Sequence, residues 1–317
     1  MKIGTDIGKN EYMLNRIMDI ELDKEGNIYA LDNDYNLVRV YDSEGVFQYN
    51  ISRSGNGPGE LTRGLDINLA ENKLFIADLD FGLEVFEKKN DDGDFRFLKR
   101  FDLGFQPYQV DYCNNKLFVT SISNMPNNKI DYKKSIHVYD YESQEYLFSF
   151  NDSYQSENTM VASKLTRNKI VCNDITNTIV TINNYFPYIK AYDYLGNLRW
   201  ISMIQDYKYR EIVQSEDEIG RATLTINDNQ NGFSDYMGAI TSFNENIILQ
   251  VTRLKTLQNE WQGTKTFTYL IDAKNGKGGL ISNEVPSFNN ILKNNLVGKN
   301  FDDDYTSIKL YSFALNN

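Results

Sequence analysis

The 317 residues carry a net charge of −11, and the pI is near 4.8. A protein that grips phosphate backbones needs a basic stripe; none is present, so no nucleic-acid partner is expected and the acidity reads as solubility. With 22 Tyr, 18 Phe and only 5 Pro, the composition favours strands over disorder, and no apolar run reaches the roughly 18 residues that suggest a transmembrane helix.

The opening MKIGTDIGKNEY has no apolar h-region and is not a signal peptide. The protein is expected either in the cytosol or with an export signal lying outside this sequence. The next stretch has a counterpart further on. IGTDIGKNEYMLNRIMDIEL lines up with ISRSGNGPGELTRGLDINL, so Leu14, Arg16 and Asp19 match Leu61, Arg63 and Asp66.

Residues 19–52, DIELDKEGNIYALDNDYNLVRVYDSEGVFQYNIS, hold four short strand-like runs separated by tight Asp/Gly turns. Alternation broken by such turns is a hairpin signal, and four antiparallel strands of this size make one propeller blade. The pattern recurs. The second strand reads NIYALD at 27, KLFIAD at 73, KLFVTS at 116, TIVTIN at 178, NIILQV at 246 and NLVGKN at 295. The third reads LVRVYD at 37, LEVFEK at 83, IHVYDY at 136, IKAYDY at 189, FTYLID at 267 and IKLYSF at 308. Six copies in one order predict an all-β, six-bladed β-propeller with four-stranded antiparallel blades over residues 1–317. The last copy stops after its third strand, so residues 2–7 are expected to supply the missing fourth strand beside Ile308–Phe313 and close the ring.

Between blades 1 and 2 lies RSGNGPGELT. It has neither the Gly-Lys-Ser/Thr of a P-loop nor the G-x-G-x-x-G of a dinucleotide loop, and reads as a connecting turn. The run GNIYALDNDYNLVRVYDSEGVFQYNISRSGNGPGEL resembles the NHL repeat, and the whole chain looks like the six-bladed propeller proteins of Bacteroidota, many of them envelope lipoproteins of unassigned function. The resemblance implies the fold and says little about activity, because propellers host many unrelated functions.

The loops are unequal. Turns between first and second strands are short, as are most between third and fourth. The longer connections, all falling on the other rim, are 123–135, 183–188, 252–264, 299–307 and an insertion at 205–237 between blades 4 and 5. A helix is expected in the first half of that insertion, with Tyr209, Ile212 and Ile219 on one stripe. Long loops on a rigid scaffold gather binding residues, though they also tolerate drift. The candidate ligand-binding residues on this rim are Arg16 and Arg63 at inner-strand starts, Asp32 and Asp78 at second-strand ends, and Arg253 and Trp261 on the blade-5 loop. Turn capping is an equal reading for the two aspartates, and salt bridging or bonding to loop carbonyls is one for the paired arginines.

Catalytic chemistry is sparse. His137 is the only histidine and sits mid-strand, and no G-x-S-x-G is present. Cys113 and Cys172 are far apart, match no metal spacing, and are expected to be buried small hydrophobes rather than a disulfide or ligands. The acidic runs DNDYN (32–36), NDDGD (90–94) and FDDDY (301–305) do not fit a calcium loop. Propellers of the gluconolactonase type converge Glu, Asn and Asp on the axis; no such set can be assigned here. The expected function is a binding or interaction module without cofactor or catalytic metal, a structural Ca²⁺ staying open. Its partner would be a small molecule, glycan or protein at the long-loop rim. The chain is expected to be a monomer, in the periplasm or anchored to the outer membrane, with a cytoplasmic location also open. The alternative is a channel-metal hydrolase or lactonase.

Overall fold

The second strand of each repeat is a near-continuous apolar run because it sits mid-blade with both faces covered. All five residues of Ile28–Asp32 are buried, whereas the outermost strands Phe47–Ile51 and Leu198–Met203 alternate between covered and exposed. The computed structural model describes residues 1–80, 82–89, 93–122, 130–216, 222–258, 260–292, 295–300 and 305–312. All twelve repeat segments quoted above fall on strands over their described residues, and six four-stranded antiparallel sheets form a six-bladed β-propeller.

Two compact units divide the chain. Met1–Tyr112 with Ser287–Asn317 forms one, and Cys113–Pro286 the other. The first holds blade 1 (Ile17–Leu22, Ile28–Asp32, Leu37–Tyr41, Phe47–Ile51) and blade 2 (Gly64–Ala70, Lys73–Asp78, Gly82–Lys88, Phe95–Phe101). It also holds blade 6 (Asn290–Leu292, Asn295–Asn300, Ser307–Ser312). Its core packs Tyr29, Leu31 and Val40 against Leu61, Ile67 and Ile76 of the next blade. The N-terminal strand completes blade 6: Lys2 pairs with Lys309 and Ile3 with Ile308, and Ile3 is buried. This strand spans only Lys2–Ile3, not residues 2–7. Gly4 turns the chain away at φ 126°, where a Cβ would meet the Thr306 carbonyl at 2.7 Å. Phe313 lies outside the described residues. In the RSGNGPGELT turn, the Gly57 amide donates to Glu60 at 2.8 Å and the Leu61 amide to the Arg53 carbonyl at 2.9 Å.

The second unit holds blade 4 (Asn168–Asn173, Thr178–Asn183, Tyr188–Tyr192, Leu198–Met203) and blade 5 (Gly232–Phe243, Asn246–Leu257, Glu260–Asp272, Gly278–Ser282). It also holds Lys116–Ser121, Lys134–Asp140 and Tyr146–Asp152 of blade 3, whose first strand is Pro107–Cys113.

Four expectations are corrected in this unit. Cys113 and Cys172 form a disulfide with a Cα–Cα distance of 6.4 Å. They lie on the first strands of blades 3 and 4, which the fold makes neighbours although the sequence separates them. The expected helix after residue 205 is instead a hairpin, Glu211–Glu216 with Ala222–Asn227. The β-branched Ile212, Val213, Thr223, Thr225 and Ile226 favour it; Ile219 lies outside the described residues. The insertion also ends earlier, since blade 5 begins at Gly232. Residues 252–264 are no loop: Arg253 pairs with Lys265 and Thr256 with Trp261 in a long hairpin that turns near Gln258, φ 51°. Of the sequence features named above, 90–92, 123–129 and 301–304 lie outside the described residues.

Candidate functional site

The six candidate residues are divided between the units. In the first, Arg16 is exposed, and its carbonyl accepts the Asn33 amide at 3.0 Å. Arg63 repeats this with Leu79 at 3.0 Å, and its exposed guanidinium pairs with Asp80 at 2.7 Å. Asp78 is fully buried and caps the start of the inner strand of its own blade. Its carboxylate accepts the amides of Thr62 (2.8 Å) and Arg63 (3.0 Å) and the Thr62 hydroxyl (2.8 Å). Asp32 pairs with the buried Arg39 at 3.1 Å; burial raises its pKa against the opposing pull of that guanidinium. In the second unit, Arg253 holds the buried Asp235 through two bonds of 2.7 Å and reaches Asp206 at 3.2 Å. Trp261 is 67% exposed beside an open depression lined by Asn229 and Thr256. Most of these side chains are therefore engaged in holding strands and turns. His137 is buried, with Nδ1 2.7 Å from Ser149 on the neighbouring strand, and burial lowers its pKa to about 4.

The inner strands of the first unit carry acids that the channel-hydrolase alternative would require. Each is already occupied. Asp19 accepts the Ile67 amide at 3.3 Å and Asn289 at 3.4 Å. Asp66, its repeat equivalent, accepts the Val110 amide and the Gln109 side chain, both at 2.9 Å. Asp111 accepts Asn68 at 3.0 Å, and Glu21 accepts Asn290. The acids thus act as staples, each tying one inner strand to the next. Among the described residues no group of three His, Cys, Asp or Glu side chains is placed to hold a metal.

Asp66 is buried, whereas Asp19 and Glu21 are half-buried on their inner strand. Desolvation raises Asp19, and it raises Glu21 and Asp66 well above the usual carboxylate range. Repulsion from Asp19, and after it Asp111, adds to the rise of Glu21 and Asp66; hydrogen bonds from the Ile20 and Ile67 amides, and then Asn289 and Lys299, pull Asp19 the other way. Between the ordinary carboxylate pKa of about 4 and the raised values, the folded state keeps protons that the unfolded chain has released. Stability from these groups is full at low pH and is lost as pH rises through the raised values. His137 works in the opposite sense below pH about 6.5, so a difference isolates the effect. Glu21→Gln, which keeps an oxygen for Asn290, is expected to gain in melting temperature relative to the unsubstituted protein as pH rises from about 5 to 9. A pH-independent difference would show that Glu21 carries no raised pKa.

A polar cleft lies in the second unit, at the ends of blades 3 and 4. Asn158 starts it. Its side chain accepts the amides of Met160 (3.0 Å) and Val161 (3.3 Å), capping the helix Thr159–Thr166. The helix packs Val161 and Leu165 on Leu224 of the inserted hairpin. Asn183 accepts the Tyr185 amide at 2.9 Å, a side-chain turn that opens the loop carrying Phe186. The result is a cleft of about 260 Å³.

The floor of the cleft is a connected amide–hydroxyl network. Asn151 and Asn168 both donate to the buried Ser135 hydroxyl, at 2.7 and 2.8 Å. Asn183 donates to Asn168 at 3.2 Å, Tyr192 to Asn151 at 2.8 Å, and Lys190 reaches Asn151 at 3.4 Å. Around the cleft stand Tyr154 and Phe186, near-parallel at 11° with centroids 6.2 Å apart, and Tyr188, 45% exposed. Thr181 also lines the cleft. It is 2% exposed, and its Oγ1 has no hydrogen-bond partner. An unsatisfied buried hydroxyl costs roughly 1–3 kcal/mol, so it marks a place where a ligand atom would be welcome.

None of the six sequence candidates lines this cleft. One signal for it was present: Leu165-Thr166-Arg167 repeats Leu61-Thr62-Arg63, and the Arg167 carbonyl accepts the Asn184 amide at 3.4 Å as those of Arg16 and Arg63 accept theirs.

No protein-family model matches the chain, and no curated protein does. Among solved structures, the chain is similar to a member of the DUF4221 family from Bacteroides vulgatus. The TM-score is 0.56 at 9% identity, covering 98% of this chain and 96% of that one. It is also similar to a protein of Bacteroides fragilis described as exported, with TM-score 0.54, 12% identity and 98% coverage of both chains. At these identities the likeness carries the fold, a β-propeller.

Proposed function

We propose that this protein is an exported ligand-binding propeller whose site is the cleft at the end of blades 3 and 4. The observation that carries the reading is the cleft itself: a fixed amide network, aromatic rings beside it and a buried hydroxyl left unpaired. Such a mix of apolar faces with a few convergent polar groups is what small-molecule sites present. Export is supported by the Cys113–Cys172 disulfide, since disulfides persist in oxidising compartments, and by the structural likeness to a protein described as exported. The NHL-like sequence of blade 1 and an envelope location fit the same reading. A hydrolase in the first unit is disfavoured because its acids are engaged as strand staples.

The test is a small-molecule screen read by thermal stabilisation. A ligand at 100 times its Kd adds about 2.7 kcal/mol to the folded state. Hits are expected to lose at least about tenfold in affinity, equal to about 1.4 kcal/mol, on Tyr188→Ala. They should weaken likewise on Thr181→Val, which keeps the side-chain shape. Hits that bind both variants unchanged would place the site elsewhere.

A further inference from the structure

We infer that the cleft takes a six-membered sugar ring bearing a carboxylate, a hexuronic acid unit, an inference that rests on reading the cleft as the ligand site. Size comes first. At about 260 Å³ the cleft falls just below the roughly 300–1,000 Å³ of typical small-molecule sites, so it suits a single ring rather than an extended ligand. The neighbouring aromatic groups set the shape. Tyr188 is part exposed, and Tyr154 and Phe186 lie near-parallel beside it. The ring faces of these groups are electron-rich, and the C–H patch of a pyranose, weakly positive and apolar, packs against such a face.

The polar inventory then narrows the class. Asn151, Asn168 and Asn183 hold one another and Ser135 in place, so the network is preorganised before a ligand arrives. Thr181 Oγ1 offers one donor and two acceptor positions without a protein partner. A sugar hydroxyl, itself both donor and acceptor, satisfies such a group; an apolar ligand does not.

Charge supplies the carboxylate. Lys190 is the one cation lining the cleft among the described residues, and its bond to Asn151, at 3.4 Å, is long. An ammonium has three donors, so Lys190 keeps capacity for an anion. The one acid on the described lining, Asp152, is paired with Lys134 at 2.5 Å and leaves the local balance positive. A phosphate would want a guanidinium fork or several backbone amides, and the lining has no arginine. One ammonium beside amides and a hydroxyl matches a single carboxylate on a polyhydroxylated ring.

The experiment uses the whole chain with galacturonate, glucuronate and their neutral parents galactose and glucose, by calorimetry and saturation-transfer NMR. A hexuronate is expected to bind at least about tenfold more tightly than its parent, the order of one charge-assisted hydrogen bond. Lys190→Gln should remove that preference while leaving the thermal melt in place. Tyr188→Ala should weaken acid and parent alike, and added salt should weaken only the acid. Equal binding of acid and parent, or hexuronate binding indifferent to Lys190→Gln, overturns the ligand class. So does no hexuronate binding at millimolar concentration. If other compounds still bind in a manner sensitive to Tyr188→Ala and Thr181→Val, the cleft reading stands and only the class falls. If nothing sensitive to those variants binds, both fall.

Discussion

Reducing the Cys113–Cys172 disulfide is expected to cost about 4 kcal/mol of unfolding free energy, because it frees a loop of 59 residues in the unfolded chain. The bond ties the first strands of two neighbouring blades beside a core of Phe118, Val138, Ile170 and Ile179. For a cooperative unit of this size, that loss lowers the melting temperature by roughly 10 °C. Calorimetry with and without reductant, with thiols counted in each sample, measures it. The bond is predicted to leave no free thiol in protein matured in an oxidising compartment. Two free thiols there, or an unchanged melt after full reduction, would contradict both the pairing and its use in arguing for export.

The second large effect concerns Arg39. It is 4% exposed on the third strand of blade 1 and donates to the fully buried Asp32 at 3.1 Å and to the Asn10 carbonyl at 2.9 Å. Arg39→Met removes the cation and leaves Asp32 alone in a place without water. Breaking a buried pair from one side typically costs about 3–5 kcal/mol. The pH dependence gives the sign. Without Arg39 the carboxylate is easier to protonate, so the deficit of the variant should shrink as pH falls. Pairing the change with Asp32→Asn should recover much of the loss at neutral pH, since no lone charge remains. Chemical denaturation of the three proteins at two pH values decides the matter. A loss below about 1 kcal/mol, typical of exposed pairs, would mean that water reaches the pair.

These two sites show what the sequence did and did not disclose. The twelve strand segments were legible because each carries its own signal, an apolar run bounded by Asp/Gly turns. Blade count and closure of blade 6 by the N-terminal segment followed from repetition, although the strand covers Lys2–Ile3 rather than residues 2–7. The Asp32–Arg39 pair was half visible: Asp32 was singled out as a strand end, but its partner sits seven residues on, across a hairpin, and only strand register brings the two together. The disulfide was not legible, because a separation of 59 residues becomes a short distance only once blades 3 and 4 lie side by side. The inserted hairpin was misread because Tyr209 and Ile212 fit a helical stripe, while alternation in Thr223–Ile226 was the stronger pattern.

The cleft was hidden for a similar reason. Its parts come from the end of blade 3, a capped helix and the loop after Asn183, and each segment alone looks like a connection. The arginines and Trp261 drew attention because Arg and Trp are common in recognition patches. In the structure Arg63 and Arg253 are engaged in ion pairs. The unpaired hydroxyl of Thr181 could not be foreseen, since satisfaction of a polar group is a property of the folded environment.

A crystal structure of the protein with a compound that stabilises it shows most directly where a ligand sits. Density is predicted beside Tyr188, with a ligand oxygen within hydrogen-bond distance of Thr181 Oγ1 and an anionic group at Lys190. An unfilled cleft, with the same compound found against Trp261 or between the acids Asp19 and Asp66, would contradict it.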